Sequence, residues 1–174
     1  LNQNSLADVG VHVLGQWLDK EIPHENLEAI VRDALNFPCP VVKLSDDLFV
    51  LELFRGPTLS FKDFGARTMA RMMQYFLNKR GEKRLILVAT SGDTGSAVAD
   101  GFAGQDNIEV VLLYPKGKVS DVQERQLITK RPGVRALAVK GNFDDCQRMV
   151  KDAFVDTDLQ HLPLSSANSI NIGR

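Results

Sequence analysis

Lys62 stands in the stretch Ser60-Phe61-Lys62-Asp63-Phe64, between two phenylalanines, where a long helix is expected to begin. Backbone N–H groups at a helix start carry partial positive charge, so a cation there is disfavoured by about 0.3 to 1 kcal/mol. A lysine set against that preference is a candidate nucleophile, because a neutral amine beside apolar rings can attack a carbonyl and form a Schiff base. The alternative is a solvated lysine whose charge Asp63 offsets, with Phe61 and Phe64 supplying core.

Two other segments concentrate groups that bind anions. Thr90-Ser91-Gly92-Asp93-Thr94-Gly95 follows an apolar run and opens a helix, so hydroxyls and backbone N–H groups gather at a helix N-terminus. The motif is neither GxxxxGK[ST] nor GxGxxG, so nucleotide binding has no direct support. Asp93 or Thr94 acting only as a helix cap is equally consistent with it. Residues 165–174 form the second concentration. There Asn168 and Ser169 either cap a final helix, with Arg174 solvated, or face the same mouth as Ser91, with Arg174 completing an anion pocket. Tyr114-Pro115-Lys116-Gly117-Lys118 carries two cations that read as solvated, without a catalytic role.

These residues need elements to hold them. Residues 5–19 carry Leu6, Val9, Val13, Leu14 and Trp17 at helical spacing, and residues 24–35 carry Leu27, Ile30, Val31 and Ala34 likewise. Pro38-Cys39-Pro40 stops helical character. Residues 41–44 and 48–53 read as a short hairpin turning at Ser45-Asp46-Asp47. From residue 61 the pattern alternates: a helix to residue 78 with Phe64, Met69, Met72, Met73 and Phe76 inward, then strands at 85–90, 110–114 and 134–139. Helices at 94–103, 122–129 and 144–154 separate and follow them. This rhythm predicts an α/β fold, a parallel twisted sheet with helices on both faces, preceded by an N-terminal helical segment and a short hairpin. The expected organisation is a helical segment at 1–40, a hairpin and loop at 41–60, and an α/β lobe at 61–174. Ligands of such sheets sit beyond the carboxyl ends of the strands, where all three candidate segments fall.

Composition narrows the function classes. The chain has 174 residues, 44% hydrophobic and 25% charged, with a formal net charge of -1, so it is an ordinary globular sequence without the field that recruits nucleic acid or an anionic membrane. Cys39 and Cys146 lack CxxC partners, which fits a reduced, cytoplasmic protein. His12, His24 and His161 are scattered, so no metal site is expected. No apolar run reaches the roughly 20 residues of a membrane span, and the N-terminus lacks the charged-then-apolar pattern of a signal peptide.

Taken together, three stretches resemble the bacterial threonine synthase family in order and spacing. They are Phe54-Arg55-Gly56-Pro57-Thr58-Leu59-Ser60-Phe61-Lys62-Asp63-Phe64, Ala89-Thr90-Ser91-Gly92-Asp93-Thr94-Gly95 and Ser166-Ala167-Asn168-Ser169-Ile170-Asn171. Leu113-Tyr114-Pro115-Lys116-Gly117-Lys118 and Phe143-Asp144-Asp145-Cys146-Gln147 are also similar, so the resemblance covers essentially the whole chain. It implies a pyridoxal 5'-phosphate enzyme of the tryptophan-synthase-β fold type. Such an enzyme converts O-phosphohomoserine and water to threonine and phosphate by γ-elimination and β-addition.

By that resemblance Lys62 holds the cofactor as a Schiff base and later serves as the base, and Phe61 lies near the cofactor ring. Ser91, Gly92, Asp93 and Thr94 receive the substrate carboxylate, and Asn168, Ser169 and Arg174 hold its phosphate. At the place of Asp93, cousins such as cysteine synthase have an asparagine that contacts the cofactor's phenolic oxygen. A carboxylate there repels a phenolate, so either one proton is shared or Asp93 turns away and caps its helix. The competing readings are a threonine deaminase or cysteine synthase-like enzyme, which has no need of a second anion pocket, and a non-catalytic homologue acting as a binding module.

The chain begins at Leu1 without Met, and family members are longer at both ends. The resemblance therefore implies an N-terminal portion whose partner is the C-terminal lobe of the same enzyme, with the loop that grips the cofactor phosphate lying beyond Arg174. Alone it is expected to bind the cofactor weakly and to be inactive.

Overall fold

Ser5 and Asp8 close a capping box: the Ser5 hydroxyl accepts from the Asp8 N–H at 3.2 Å, and the Asp8 carboxylate accepts from the Ser5 N–H at 2.8 Å. In this computed structural model, which describes residues 5–167, that box starts α1 at Leu6–Leu18, and Pro23 precedes α2 at His24–Ala34. Ile22, Leu27, Val31 and Ala34 are fully buried between them, with Leu6, Val11, Leu14 and Leu18 of α1 packed alongside. The face of α1 that carries Val9, Val13 and Trp17 is exposed, Trp17 to 79%. The helical spacing expected for these residues is therefore present, but it belongs to the outer stripe.

β1 (Val41–Ser45) and β2 (Leu48–Leu51) form an antiparallel hairpin turning at Asp46-Asp47, with Val41, Leu44, Phe49 and Leu51 exposed. The chain then alternates: α3 Lys62–Arg80, β3 Arg84–Ala89, α4 Asp93–Phe102, β4 Ile108–Pro115, α5 Asp121–Ile128, β5 Val134–Val139 and α6 Phe143–Val155. A short 3-10 turn at Thr157–Leu159 leads to β6, Leu164–Ser165. β6 has no counterpart in the sequence reading, because two residues cannot show a period; it is defined by pairing with β3, Leu85 to Leu164 and Ile86 to Ser165.

All four strands of this sheet are parallel, in the order β5-β4-β3-β6. α4 and α5 lie over one face as the chain steps from β3 to β5, and α6 crosses the other face to reach β6, the arrangement that the usual right-handed crossover produces. The packing agrees. Ile86, Val88, Val110 and Leu112 share a core with Ala97 and Phe102 of α4 and Leu127 of α5. Leu87 and Ala89 face the opposite way, toward Phe143, Val150 and Phe154 of α6. Strand order reverses between β3 and β6, and a crevice opens at such a reversal.

α3 packs on two sides. Phe64, Met72 and Phe76 join the N-terminal cluster, whereas Met69 and Met73 join the sheet core together with the buried Ala66 and Ala70. Those small residues let α4 approach so closely that a Cβ on Gly101 would lie 3.0 Å from the Ala66 carbonyl carbon and the Arg67 nitrogen. Arg67 staples the assembly: its guanidinium donates to the Ala34 carbonyl at 2.7 Å, the Asp33 carbonyl at 2.9 Å and Asn36 Oδ1 at 2.9 Å. These acceptors lie at or just beyond the end of α2, where helix carbonyls lack intrahelical partners.

Candidate active site

The loop ahead of α3 is built around a buried carboxylate. Asp63 is fully buried, and its oxygens accept from the Thr58 N–H at 2.9 Å and the Thr58 hydroxyl at 2.5 Å. Gly56 lies against this carboxylate so closely that any Cβ would collide with it. Asp63 is thus committed to folding the loop back over the helix start, and the reading in which it offsets Lys62 does not describe its geometry. The Leu59 N–H donates to the Gly56 carbonyl at 3.0 Å, closing a turn that holds Leu59 at φ 59. That left-handed conformation costs a side-chain-bearing residue about 1–2 kcal/mol, which the surrounding Gly56–Asp63 packing must offset.

Ser60 supplies the start of α3: its hydroxyl accepts from the Lys62 N–H at 3.3 Å and its carbonyl from the Asp63 N–H at 3.0 Å. Lys62 is half-buried, with Nζ 4.5 Å from the centroid of the exposed Phe61 ring. A cation over a ring face is attracted by about 0.5–1 kcal/mol at exposed sites, which counters the unfavourable helix-start position.

The 90–95 turn has a different organiser from the ones expected. Thr90 is 1% exposed, and its Oγ1 accepts from the Gly92 N–H at 3.0 Å and the Gly95 N–H at 2.8 Å. Thr90, at the end of β3, therefore does the capping work assigned to Asp93 or Thr94. Gly92 adopts φ 145, ψ -89, a conformation that L side chains rarely adopt, and returns its carbonyl to the Ser96 N–H at 3.1 Å. Asp93 is turned aside: its Oδ1 accepts from Gln123 Nε2 at 2.8 Å, so it does not cap its own helix. Ser91 and Asp93 are exposed and Thr94 is half-buried, which leaves the hydroxyls at the mouth.

α5 links the two loops. Gln123 reaches Asp93, and three residues on, Gln126 Nε2 donates to the Thr58 carbonyl at 3.4 Å. Residues three apart share a helix face, so the Lys62 loop and the 91–94 turn are gauged against one surface. The Tyr114 hydroxyl donates to Glu124 Oε1 at 3.0 Å and ties α5 to β4; burial and this carboxylate push the phenol up from its ordinary value. Neither Thr90 nor Gln123 was singled out from the sequence, although a threonine ending a strand just before a glycine turn is a readable signal.

Ser91 and Thr94 also border a cleft of about 300 Å³ at the strand-order reversal, which they share with Lys151 of α6 and with Ser166 and Ala167 after β6. The second candidate segment thus begins at the same mouth. Asn168, Ser169 and Arg174 lie outside the described residues. A primary amine on an aromatic face, in a loop that α5 ties through Thr58 to a turn of hydroxyls and N–H groups, has the chemistry to hold an amino acid through a carbonyl cofactor.

Residues 36–173 match the family described as pyridoxal-phosphate dependent enzymes. The chain belongs to this family. Its relatives include the threonine synthase of Haemophilus influenzae, 49% identical over 97% of this chain, and that of Escherichia coli K12, 50% identical over 93%. The chain spans 40% and 38% of their lengths respectively. Among solved structures, the PLP-bound threonine synthase of Brucella melitensis superposes with a TM-score of 0.92 at 45% identity, covering 98% of this chain and 38% of that one. The threonine synthase of Escherichia coli gives 0.85 at 46%, covering 98% and 40%. The family cofactor, pyridoxal phosphate, carries an aldehyde that suits the Lys62 amine, and the exposed Phe61 ring beside that amine suits an aromatic cofactor. The residues present therefore fit the group.

Proposed function

We propose that this chain is the lysine-bearing portion of a threonine synthase, converting O-phosphohomoserine and water to threonine and phosphate with pyridoxal 5'-phosphate. The observation that carries the reading is the pairing, across one face of α5, of the Lys62 loop with the 91–94 turn. An amine that bonds a carbonyl and a turn that takes a carboxylate are the two fixtures an α-amino acid substrate requires.

The bound cofactor supplies an electron sink for charge developed at the substrate Cα. Lys62 would hold it through the side-chain amine, and that amine, when free, would take the proton from the substrate Cα and later return one. Phe61, whose ring centroid lies 4.5 Å from the Lys62 Nζ, would stand beside the cofactor ring. Ser91 and Thr94 donate hydroxyls, and the turn its remaining N–H groups, to the substrate carboxylate; the Gly92 N–H is engaged by Thr90, so Gly92 serves through its backbone shape. Asp93 completes the turn while leaning on Gln123. Asn168, Ser169 and Arg174 are assigned to the leaving phosphate on sequence resemblance. An arginine there stabilises charge as the phosphate departs, so it acts on turnover as well as binding. The grip on the cofactor phosphate is assigned to the C-terminal lobe of the same enzyme on sequence resemblance. A cytoplasmic location is part of the proposal, supported by the free thiols of Cys39 and Cys146.

The test uses the full-length protein supplied with the cofactor. Phosphate release from O-phosphohomoserine with matching formation of threonine is expected, together with a visible Schiff-base absorbance that Lys62→Ala removes. Release of 2-oxobutanoate from threonine without phosphate release would point to a deaminase, and an absorbance unchanged by Lys62→Ala would overturn the assignment of the anchor.

A further inference from the structure

The turn proposed to receive a carboxylate contains a carboxylate of its own. Asp93 lies between Gly92 and Thr94, is exposed, and carries the same charge as the ligand its neighbours are to bind. Two like charges at one mouth repel, by roughly 1 kcal/mol at 4 Å in water and more where water is excluded. Something must hold the Asp93 charge aside.

Gln123 is placed to do so. Its Oε1 accepts from the Ser120 N–H at 3.1 Å and from the Ser120 hydroxyl at 3.1 Å, and its Nε2 donates to Asp93 Oδ1 at 2.8 Å. Both ends of the amide are engaged, and the assignment is unambiguous in chemical terms. A flipped amide would set its NH2 against the Ser120 N–H and its oxygen against a carboxylate. The amide also abuts Gly92: a Cβ there would lie 2.5 Å from the Gln123 Cδ and 2.8 Å from its Oε1. Gln123 therefore touches the turn twice, drawing Asp93 sideways and packing against the glycine that gives the turn its shape. Thr90 holds the same turn from beneath, through the Gly92 and Gly95 N–H groups.

We propose that Gln123 is a positioning residue, which draws the Asp93 carboxylate out of the mouth of the 91–94 turn and so keeps that turn open to a substrate carboxylate. The inference rests on the proposed function and extends it to a residue outside the binding motif. Gln123 acts through Asp93 and the backbone of Gly92, without touching substrate.

Gln123→Glu separates this role from simple helix capping. Glutamate has the shape of glutamine, so the contact with Gly92 persists, and glutamate three residues after Ser120 is an equally good capping-box partner. Only the donated bond to Asp93 is lost, replaced by two facing carboxylates. In Gln123→Glu/Asp93→Asn the link is restored with reversed polarity, the new asparagine amide donating to the new glutamate.

The full-length enzyme carrying pyridoxal phosphate is titrated with L-threonine, the proposed product, and binding is read from cofactor absorbance for wild type, Gln123→Glu, Asp93→Asn and the double variant. Gln123→Glu is expected to weaken threonine about tenfold, equivalent to about 1.4 kcal/mol. Its melting temperature should stay within about two degrees of wild type, and the double variant should bind within about threefold of Asp93→Asn alone. A responsive wild type with Gln123→Glu binding equally well overturns the inference, as does a loss that is undiminished in the Asp93→Asn background. A wild-type spectrum indifferent to L-threonine overturns the proposed function, and the positioning role with it.

Discussion

Replacing Thr90 by valine tests whether one hydroxyl organises the 91–94 turn. Valine keeps the volume and the methyl group that packs beside Gly95, and removes only the oxygen. That oxygen accepts from the Gly92 N–H at 3.0 Å and the Gly95 N–H at 2.8 Å, and both glycines are buried. An orphaned buried donor costs about 1–3 kcal/mol. With both donors orphaned by one deletion and one of them partly relieved by relaxation, the expected cost is about 3 kcal/mol, somewhat over a hundredfold in an opening equilibrium. Amide hydrogen exchange on the full-length protein reads this locally: the Gly95 amide should exchange about a hundredfold faster in Thr90→Val. Thr90→Ser keeps the oxygen and loses a methyl, worth about 1 kcal/mol, and should exchange within about tenfold of wild type. If Thr90→Val leaves Gly95 exchange within about threefold of wild type, or Ser and Val are equivalent, the methyl and not the hydroxyl holds the turn and the reasoning fails.

Three further outcomes are expected. Gly101→Ala sets a methyl 3.0 Å from α3 backbone atoms that cannot yield independently, so the protein should lose about 1–3 kcal/mol, and an unchanged melting temperature would show that the helices separate without cost. Arg67→Met strips donors from the Ala34 and Asp33 carbonyls and from Asn36, for a loss of about 2–4 kcal/mol by thermal unfolding; Arg67→Lys should recover little of it, because an ammonium cannot span the same fork of acceptors. The Asp8 carboxyl is held below its ordinary value, first by the Ser5 hydroxyl and then by the Ser5 N–H and Arg32. The folded state thus binds that proton less readily than the unfolded chain. Its contribution is complete above the ordinary carboxylate range and is lost as pH falls through the lowered value. Protection of the α1 amides, corrected for the intrinsic exchange rate, should accordingly fall on acidification below about pH 4, and Asp8→Asn should remove that step.

The alternation of helix and strand was legible because it is local: β4 carries an apolar run from Val110 to Pro115, and α3 repeats its apolar residues every three or four positions. The face each element turns inward was less so. α1 carries two stripes of helical spacing, and only the docking of α2 decides that Leu14 is inside and Trp17 outside. The Met and Phe residues of α3 were placed inward, yet they divide between two clusters, with Ala66 and Ala70 buried in one of them, because small residues mark close approach and leave no hydrophobic signature. β6 needed β3 beside it before its two residues became a strand.

For the site, the amino-acid sequence alone determined that Lys62 begins a helix beside Phe61, and that hydroxyls and glycine gather after β3 in a turn that opens a helix. Those are properties of residues next to one another in the chain. Tertiary structure decided where each short carboxylate points: Asp63 into the Thr58 loop and Asp93 toward Gln123, 30 residues away. A hydrogen bond is settled by whatever lies within about 3 Å. For Asp93 that neighbour is supplied by α5, whose place follows from the order β5-β4-β3-β6 and from no feature of the turn itself.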